Sequence, residues 1–165
     1  SCYQLGKMYN ELGEKEKSWY YFFKSYEFDN SRQEAFFEII KKCRETNKFE
    51  TGYNLYTMLK PIYEHDKPHK LFILNDIYEH SLYSEMLIIL YYLQKFDEAN
   101  KILKKLLMAN ITNPTYIHMT NYNIKYFIPH IDKNDWEFYG KFQRYAKKFF
   151  VPEDLKKEVD KLFIE

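Results

Sequence analysis

Two stretches of this chain match one another at a fixed spacing of 34 residues: Leu5 with Ile39, Gly6 with Ile40, Tyr9 with Cys43, Gly13 with Asn47 and Phe22 with Tyr56. A repeat of that length constrains the fold more than composition does, because each copy must form one small unit and bury its apolar face on the next. Within each copy apolar residues recur at steps of three and four, the helical period, with one break in the middle. In the first copy Cys2, Leu5, Gly6 and Tyr9 precede a break at Gly13-Glu14, and Trp19, Phe22, Phe23 and Tyr26 follow it. In the second, Phe36, Ile39, Ile40 and Cys43 lead to a turn at Thr46-Asn47, then to Phe49, Tyr53, Tyr56 and Leu59, with Pro61 expected to end the helix. Each copy reads as an antiparallel helical hairpin. Ser31 is placed to cap the second hairpin, with Glu34 three residues later closing a capping box.

A third hairpin, Tyr83 to Leu107, has the clearest amphipathic pattern, with a turn at Gln94-Lys95. Its Met86 lies 47 residues after Ile39, so 13 residues are inserted between the second and third copies. The insert, Tyr63 to Ser81, contains Leu71, Phe72, Leu74, Ile77 and Tyr78 and predicts a short extra helix. Small residues at Gly6, and at Ser18, Gly52 and Ala99 near the start of each second helix, let neighbouring helices approach, and Phe22 fills the space between hairpins. After Leu107 a helix from Thr115 to Phe127 is expected to cover the open side of the third hairpin, as a terminal cap must. Residues 133–150 form an aromatic helix, and Pro152 begins a last one to Phe163. The expected architecture is an all-α domain over 1–165: repeats one and two over 1–62, the insert over 63–81, repeat three over 82–110 and capping helices over 111–165. A helix-turn-helix period of 34 residues is the tetratricopeptide period, so the fold expected is a tetratricopeptide-like solenoid of about three hairpins.

Composition narrows the function. The 25 basic and 24 acidic residues leave a net charge of +1, so no global field draws the chain to nucleic acid or anionic lipid. Seventeen Tyr and 14 Phe predict a core rich in rings, and 4 Gly with 5 Pro favour helices over a turn-rich β fold. Cys2 and Cys43 make no C-x-x-C pair and read as thiols of a reducing, cytoplasmic compartment. The chain opens without Met and without a signal-peptide pattern, which is expected of an excised fragment. The longest apolar run, Met86 to Leu93, is far short of the ~20 residues of a membrane span.

Several segments resemble a known family. Ser31-Arg32-Gln33-Glu34-Ala35, Asn75-Asp76-Ile77-Tyr78, Ser84-Glu85-Met86-Leu87-Ile88, Tyr91-Tyr92, Phe96-Asp97-Glu98-Ala99 and the stretch Asn121 to Tyr126 are similar to the tetratricopeptide-like domain found behind family 2 glycosyltransferases. The positions that carry the resemblance are Ser31, Arg32, Asp76, Tyr78, Glu85, Ile88, Tyr91, Tyr92 and Asn123, over residues 1–128. The chain departs from the family at Asn30, where proline is usual, and at Gln94, where the turn carries glycine. Nothing in it matches the nucleotide-sugar domain with its metal-binding aspartates. The bias to Lys, Asn, Ile, Tyr and Phe is that of an AT-rich genome, and large DNA viruses carry similar proteins. The resemblance implies an accessory domain beside a catalytic one.

No catalytic signature emerges. Five histidines, His65, His69, His80, His118 and His130, raise a metal site, but Pro68 interrupts the His65/His69 spacing and no H-E-x-x-H pattern is present. Asp76, Glu79 and Glu85 are candidate acid–base carboxylates, with the plainer reading that Asp76 and Tyr78 pin the insert onto the third hairpin. No cofactor is expected. The candidate binding surface is the concave face lined by the first helix of each hairpin: Tyr3, Lys7, Asn10 and Glu11, then Phe37, Lys41 and Arg44, then Ser84, Ile88, Tyr91 and Tyr92. Rings there supply area, and the cations suit carboxylates of an extended peptide or partner helix. The competing reading packs Tyr91 and Tyr92 internally and leaves the lysines solvated. The function expected is a non-catalytic interaction or scaffolding module whose partner is a protein, a peptide or the parent catalytic domain. The alternative is a helical part of a glycosyltransferase that contributes directly to acceptor or sugar binding.

Overall fold

Three tight turns with one geometry organise the computed structural model, which describes residues 1–63 and 73–164. At each turn one residue adopts a left-handed conformation: Gly13 at φ 76°, Asn47 at φ 56° and Gln94 at φ 57°. The same pair of backbone hydrogen bonds closes each. Gly13 N–H donates to Asn10 C=O at 3.1 Å and Glu14 N–H to Tyr9 C=O at 2.9 Å; Asn47 and Lys48 donate to Arg44 and Cys43 at 3.1 and 2.8 Å. Gln94 and Lys95 donate to Tyr91 and Leu90 at 3.0 and 2.9 Å. This is the Schellman pattern, which satisfies the last carbonyls of a helix while reversing the chain. The three turn residues occupy equivalent positions of the 34- and 47-residue offsets.

The turns join α1 (Cys2–Glu11) to α2 (Lys15–Phe28), α3 (Glu34–Glu45) to α4 (Phe49–Tyr63), and α5 (Leu82–Tyr92) to α6 (Phe96–Leu107). Then come α7 (Pro114–Phe127), α8 (Trp136–Lys148) and α9 (Glu153–Ile164). Among the described residues the chain is all-helical and has no strand. It divides into two compact units, Ser1–Tyr78 and Glu79–Glu165.

In the first unit α2 packs on α1, α3 on α2 and α4 on α3. The expected close approach at Gly6 is present: a Cβ there would sit 2.6 Å from the Phe22 ring, and Phe22 is itself buried. Three expectations fail here. Pro61 does not end α4, which runs to Tyr63. Ser31 does not cap α3, because its hydroxyl donates to the Asp29 carboxylate at 2.6 Å and the helix starts three residues later. Nor does Glu34 reach back in a capping box. Its carboxylate, on a residue 3% exposed, accepts from the Tyr78 hydroxyl at 3.1 Å, the Leu74 N–H at 3.1 Å and the Arg32 guanidinium at 3.2 Å.

The insert also departs from expectation. Leu71 and Phe72 lie outside the described residues, as do His65 and His69. The described end, from Asn75, enters a π-helical turn, Ile77–Ser81, that continues into α5 instead of forming a separate helix. Tyr78 pins this segment onto α3 of the second hairpin, not onto the third: it donates to Glu34 and accepts the Gln33 N–H at 3.0 Å. Asp76 is exposed and makes no hydrogen bond among the described residues.

In the second unit α5 and α6 pair, and α7 packs against both. Asn113 caps α7 by accepting the Thr115 N–H at 2.9 Å, with Pro114 in the first turn where its missing N–H costs nothing. α8 packs on α6. Asp135 ties them, capping α8 through the Phe138 N–H at 3.0 Å while holding Asn100 at 2.6 Å and Lys104 at 3.0 Å. Those partners outweigh its partial burial and hold the carboxyl below its ordinary range.

Candidate functional site

Among the described residues a concavity is present in each unit, and some of the residues expected on a concave face divide between the two. In the second unit a groove of about 540 Å³ runs between α5 and α7. Ser84, Glu85, Ile88, Tyr91 and Tyr92 of α5 form one wall; His118, Met119, Tyr122, Asn123, Tyr126 and Phe127 of α7 form the other. All four second-unit residues expected from the sequence, Ser84, Ile88, Tyr91 and Tyr92, therefore line one groove. The α7 residues were not expected there as a set, although Met119, Tyr122, Asn123 and Tyr126 already follow the three-and-four spacing of one helix face.

Tyr91 and Tyr92 face α7. The Tyr91 ring is half-buried and lies edge-on to Tyr92, Tyr126 and Phe127 at centroid distances of 5.9, 6.0 and 5.8 Å. Such T-shaped contacts fix a ring beyond what its burial alone does. Tyr92, by contrast, is 61% exposed, and Tyr122, Tyr126 and Met119 of the opposite wall are exposed too. The Tyr122 and Tyr126 hydroxyls lie 2.8 Å apart, which spaces the rings along the lip.

Beneath this lining His80 braces the floor. It is 1% exposed, stacks on Tyr116 at 4.7 Å, and its Nε2 lies 2.9 Å from Thr120 Oγ1. Thr120 Oγ1 also lies 2.9 Å from the Tyr116 carbonyl, so imidazole, hydroxyl and carbonyl form one buried chain. Burial pushes the imidazole down to about 4, so it is neutral at pH 7. The Ser84 hydroxyl, one turn further along, sits 3.3 Å from Nδ1 and 3.4 Å from Nε2 of the same ring.

Asn123 stands apart. It is 9% exposed and lines the groove, yet its carboxamide makes no hydrogen bond with any described residue. Its amide atoms are not sealed from solvent, unlike the unpaired Oδ1 atoms of Asn100 and Asn121, and the groove is where they can be reached.

In the first unit a cavity of about 820 Å³ takes only Tyr3 and Lys7 of the expected set, with Asp29, Arg32, Glu34 and Leu74 among its other walls. Its charges are largely engaged with one another, as in the Arg32–Glu34 pair at 3.2 Å. Burial pushes the Tyr3 hydroxyl up to about 12. Lys7 and Lys41 lie over the rings of Tyr3 and Phe37 at 5.8 and 5.9 Å, Arg44 pairs with Glu45 at 3.5 Å, and Asn10 and Glu11 are exposed. Between those lysines sits Glu38, whose burial raises its carboxyl against their attraction. Phe37, Lys41, Arg44 and Asn10 are not among the described residues that line that cavity with Tyr3 and Lys7.

Among the described residues no three His, Cys, Asp or Glu side chains gather as metal ligands, and no helix is long and apolar enough to cross a membrane. No protein-family model, curated protein or solved structure matches this chain.

Proposed function

We propose that the chain is a non-catalytic interaction module that captures a peptide segment of a partner protein in the α5/α7 groove. The observation that carries this is the pairing of exposed rings, Tyr92 on one wall with Tyr122 and Tyr126 on the other, beside the edge-on contacts of half-buried Tyr91 and the His80–Thr120 bond. Apolar surface held open in this way is the usual mark of a binding groove, and tyrosine supplies area at low entropic cost. The 34-residue spacing and the three matching turns support a tetratricopeptide-like scaffold for it. The resemblance at Glu85, Ile88, Tyr91, Tyr92 and Asn123 supports a glycosyltransferase accessory role, because four of those five sit in α5 and the fifth faces them from α7.

A second reading, direct contribution to an acceptor or sugar site, is favoured by the same tyrosine faces, which also suit sugar rings. Selection of linear peptides from a random library, followed by titration of Tyr92→Ala/Tyr126→Ala, separates the two. Both residues are exposed, so the variant is expected to keep its helical circular dichroism and lose peptide binding. Unchanged binding would remove the groove from consideration. Lys41→Glu with Arg44→Glu, on the first unit, is expected to leave binding intact.

A further inference from the structure

We infer that the segment held in the α5/α7 groove binds in extended form, as an uncharged internal stretch of chain whose backbone pairs with the Asn123 carboxamide. The inference rests on the reading of the groove as a peptide site and adds the conformation and chemistry of the occupant.

Asn123 offers an acceptor oxygen and a donor NH₂ side by side. Its remaining exposure opens on the groove, and no described residue satisfies it. An occupant that covered the amide without pairing it would forfeit the hydrogen bonds water now makes there, a loss that weakens binding. A helical occupant has its backbone N–H and C=O groups consumed internally, so only a suitable side chain could reach the amide. An extended one presents an N–H and a C=O from each residue along its edge, with successive side chains pointing to opposite sides. One peptide unit can then meet both ends of the carboxamide while alternate side chains reach Tyr92 on one wall and Tyr122 and Tyr126 on the other.

The charges of the lining decide which part of a chain fits. Among the described residues no lysine or arginine lines the groove, and Glu85 is the one carboxylate. A chain end or a phosphorylated residue would bring its anion beside Glu85 with only His118 to meet it, whereas an internal apolar segment brings no charge. A sugar is disfavoured on the same ground, since each covered hydroxyl needs a partner and Ser84 already leans on His80.

The test uses random linear dodecapeptides displayed on phage, counter-selected against Tyr92→Ala/Tyr126→Ala. The best binder is synthesised with each backbone nitrogen methylated in turn. One or two methylations are expected to cost more than tenfold in affinity, and the Asn123 side-chain NH₂ resonances of the wild-type protein are expected to shift on saturation. Asn123→Leu, which keeps the volume and removes the polar ends, is expected to bind about tenfold more weakly, roughly one lost hydrogen bond. Peptides that bind the groove yet tolerate methylation everywhere, tighten when stapled into a helix and leave the Asn123 resonances unmoved would overturn the extended form while sparing the peptide-site reading. A library with no groove-dependent binder would overturn both readings, and a shift of the Asn123 resonances by chitohexaose in that case would identify the site as one for sugar.

Discussion

Glu34 of the first unit and Asn123 of the second are both buried polar side chains on helices, and they are treated in opposite ways. The Glu34 carboxylate has three donors around it, from Arg32, Tyr78 and Leu74. The Asn123 carboxamide has none among the described residues and opens on a groove. A buried carboxylate without partners would cost far more than a buried amide, so the first must be satisfied within the fold. The second can be left for a ligand. The contrast separates a polar group that holds structure together from one kept available.

Breaking Glu34 is expected to have the largest effect. Glu34→Ala removes the carboxylate that accepts from the Leu74 N–H and the Tyr78 hydroxyl, and should lower the unfolding free energy by about 2–4 kcal/mol in urea titrations. A loss below about 1 kcal/mol would mean the network is solvated and the contrast with Asn123 false.

His80 belongs to the satisfied class but carries a pH signature. Its folded value is pushed down to about 4 by burial, below the ordinary value of 6.5. Between those values the unfolded chain binds the extra proton, so stability is full above pH 6.5 and is lost as pH falls towards 4. The loss reaches up to about 3 kcal/mol, and His80→Gln should flatten that stretch of the stability–pH profile.

The turns give a smaller comparison between the same units. Gln94 adopts φ 57° where Gly13, at φ 76°, does so freely. Gln94→Gly should stabilise by about 0.5–1 kcal/mol, and Gly13→Ala should destabilise by about 1 kcal/mol, because nothing lies near the added Cβ and only the backbone conformation is strained. Thermal midpoints that move in the opposite directions would contradict the shared turn geometry. Asn123→Leu should have the least effect on stability, within about 1 kcal/mol of zero, since it removes a group that the fold does not pair.

These side chains also mark what was legible in the sequence. The hairpins and the three turns follow from local signals: apolar spacing, and a turn residue recurring at Gly13, Asn47 and Gln94. The Ser31 cap was misread because Asp29, two residues away, competes for the same hydroxyl. The partner of Tyr78 lies 44 residues earlier in the chain, at Glu34, and no local pattern indicates it. For the site, the α5 wall was legible as one face of a first helix. Treating α7 only as a cover hid the opposite wall, although Met119, Tyr122 and Tyr126 leave exposed apolar surface on that cover. The first-unit half of the expected face, Lys41 and Arg44 included, was drawn from register alone, and register does not say which side chains find partners within the fold.

The most direct test of the central claim is a set of nuclear Overhauser contacts from the Asn123 side-chain NH₂ protons in the wild-type protein saturated with a groove-selected peptide. The account predicts contacts to backbone amide and α protons of one internal peptide residue, with tyrosine ring contacts to the residues on either side of it. Contacts confined to peptide side chains, or to helices α1–α4, would contradict it.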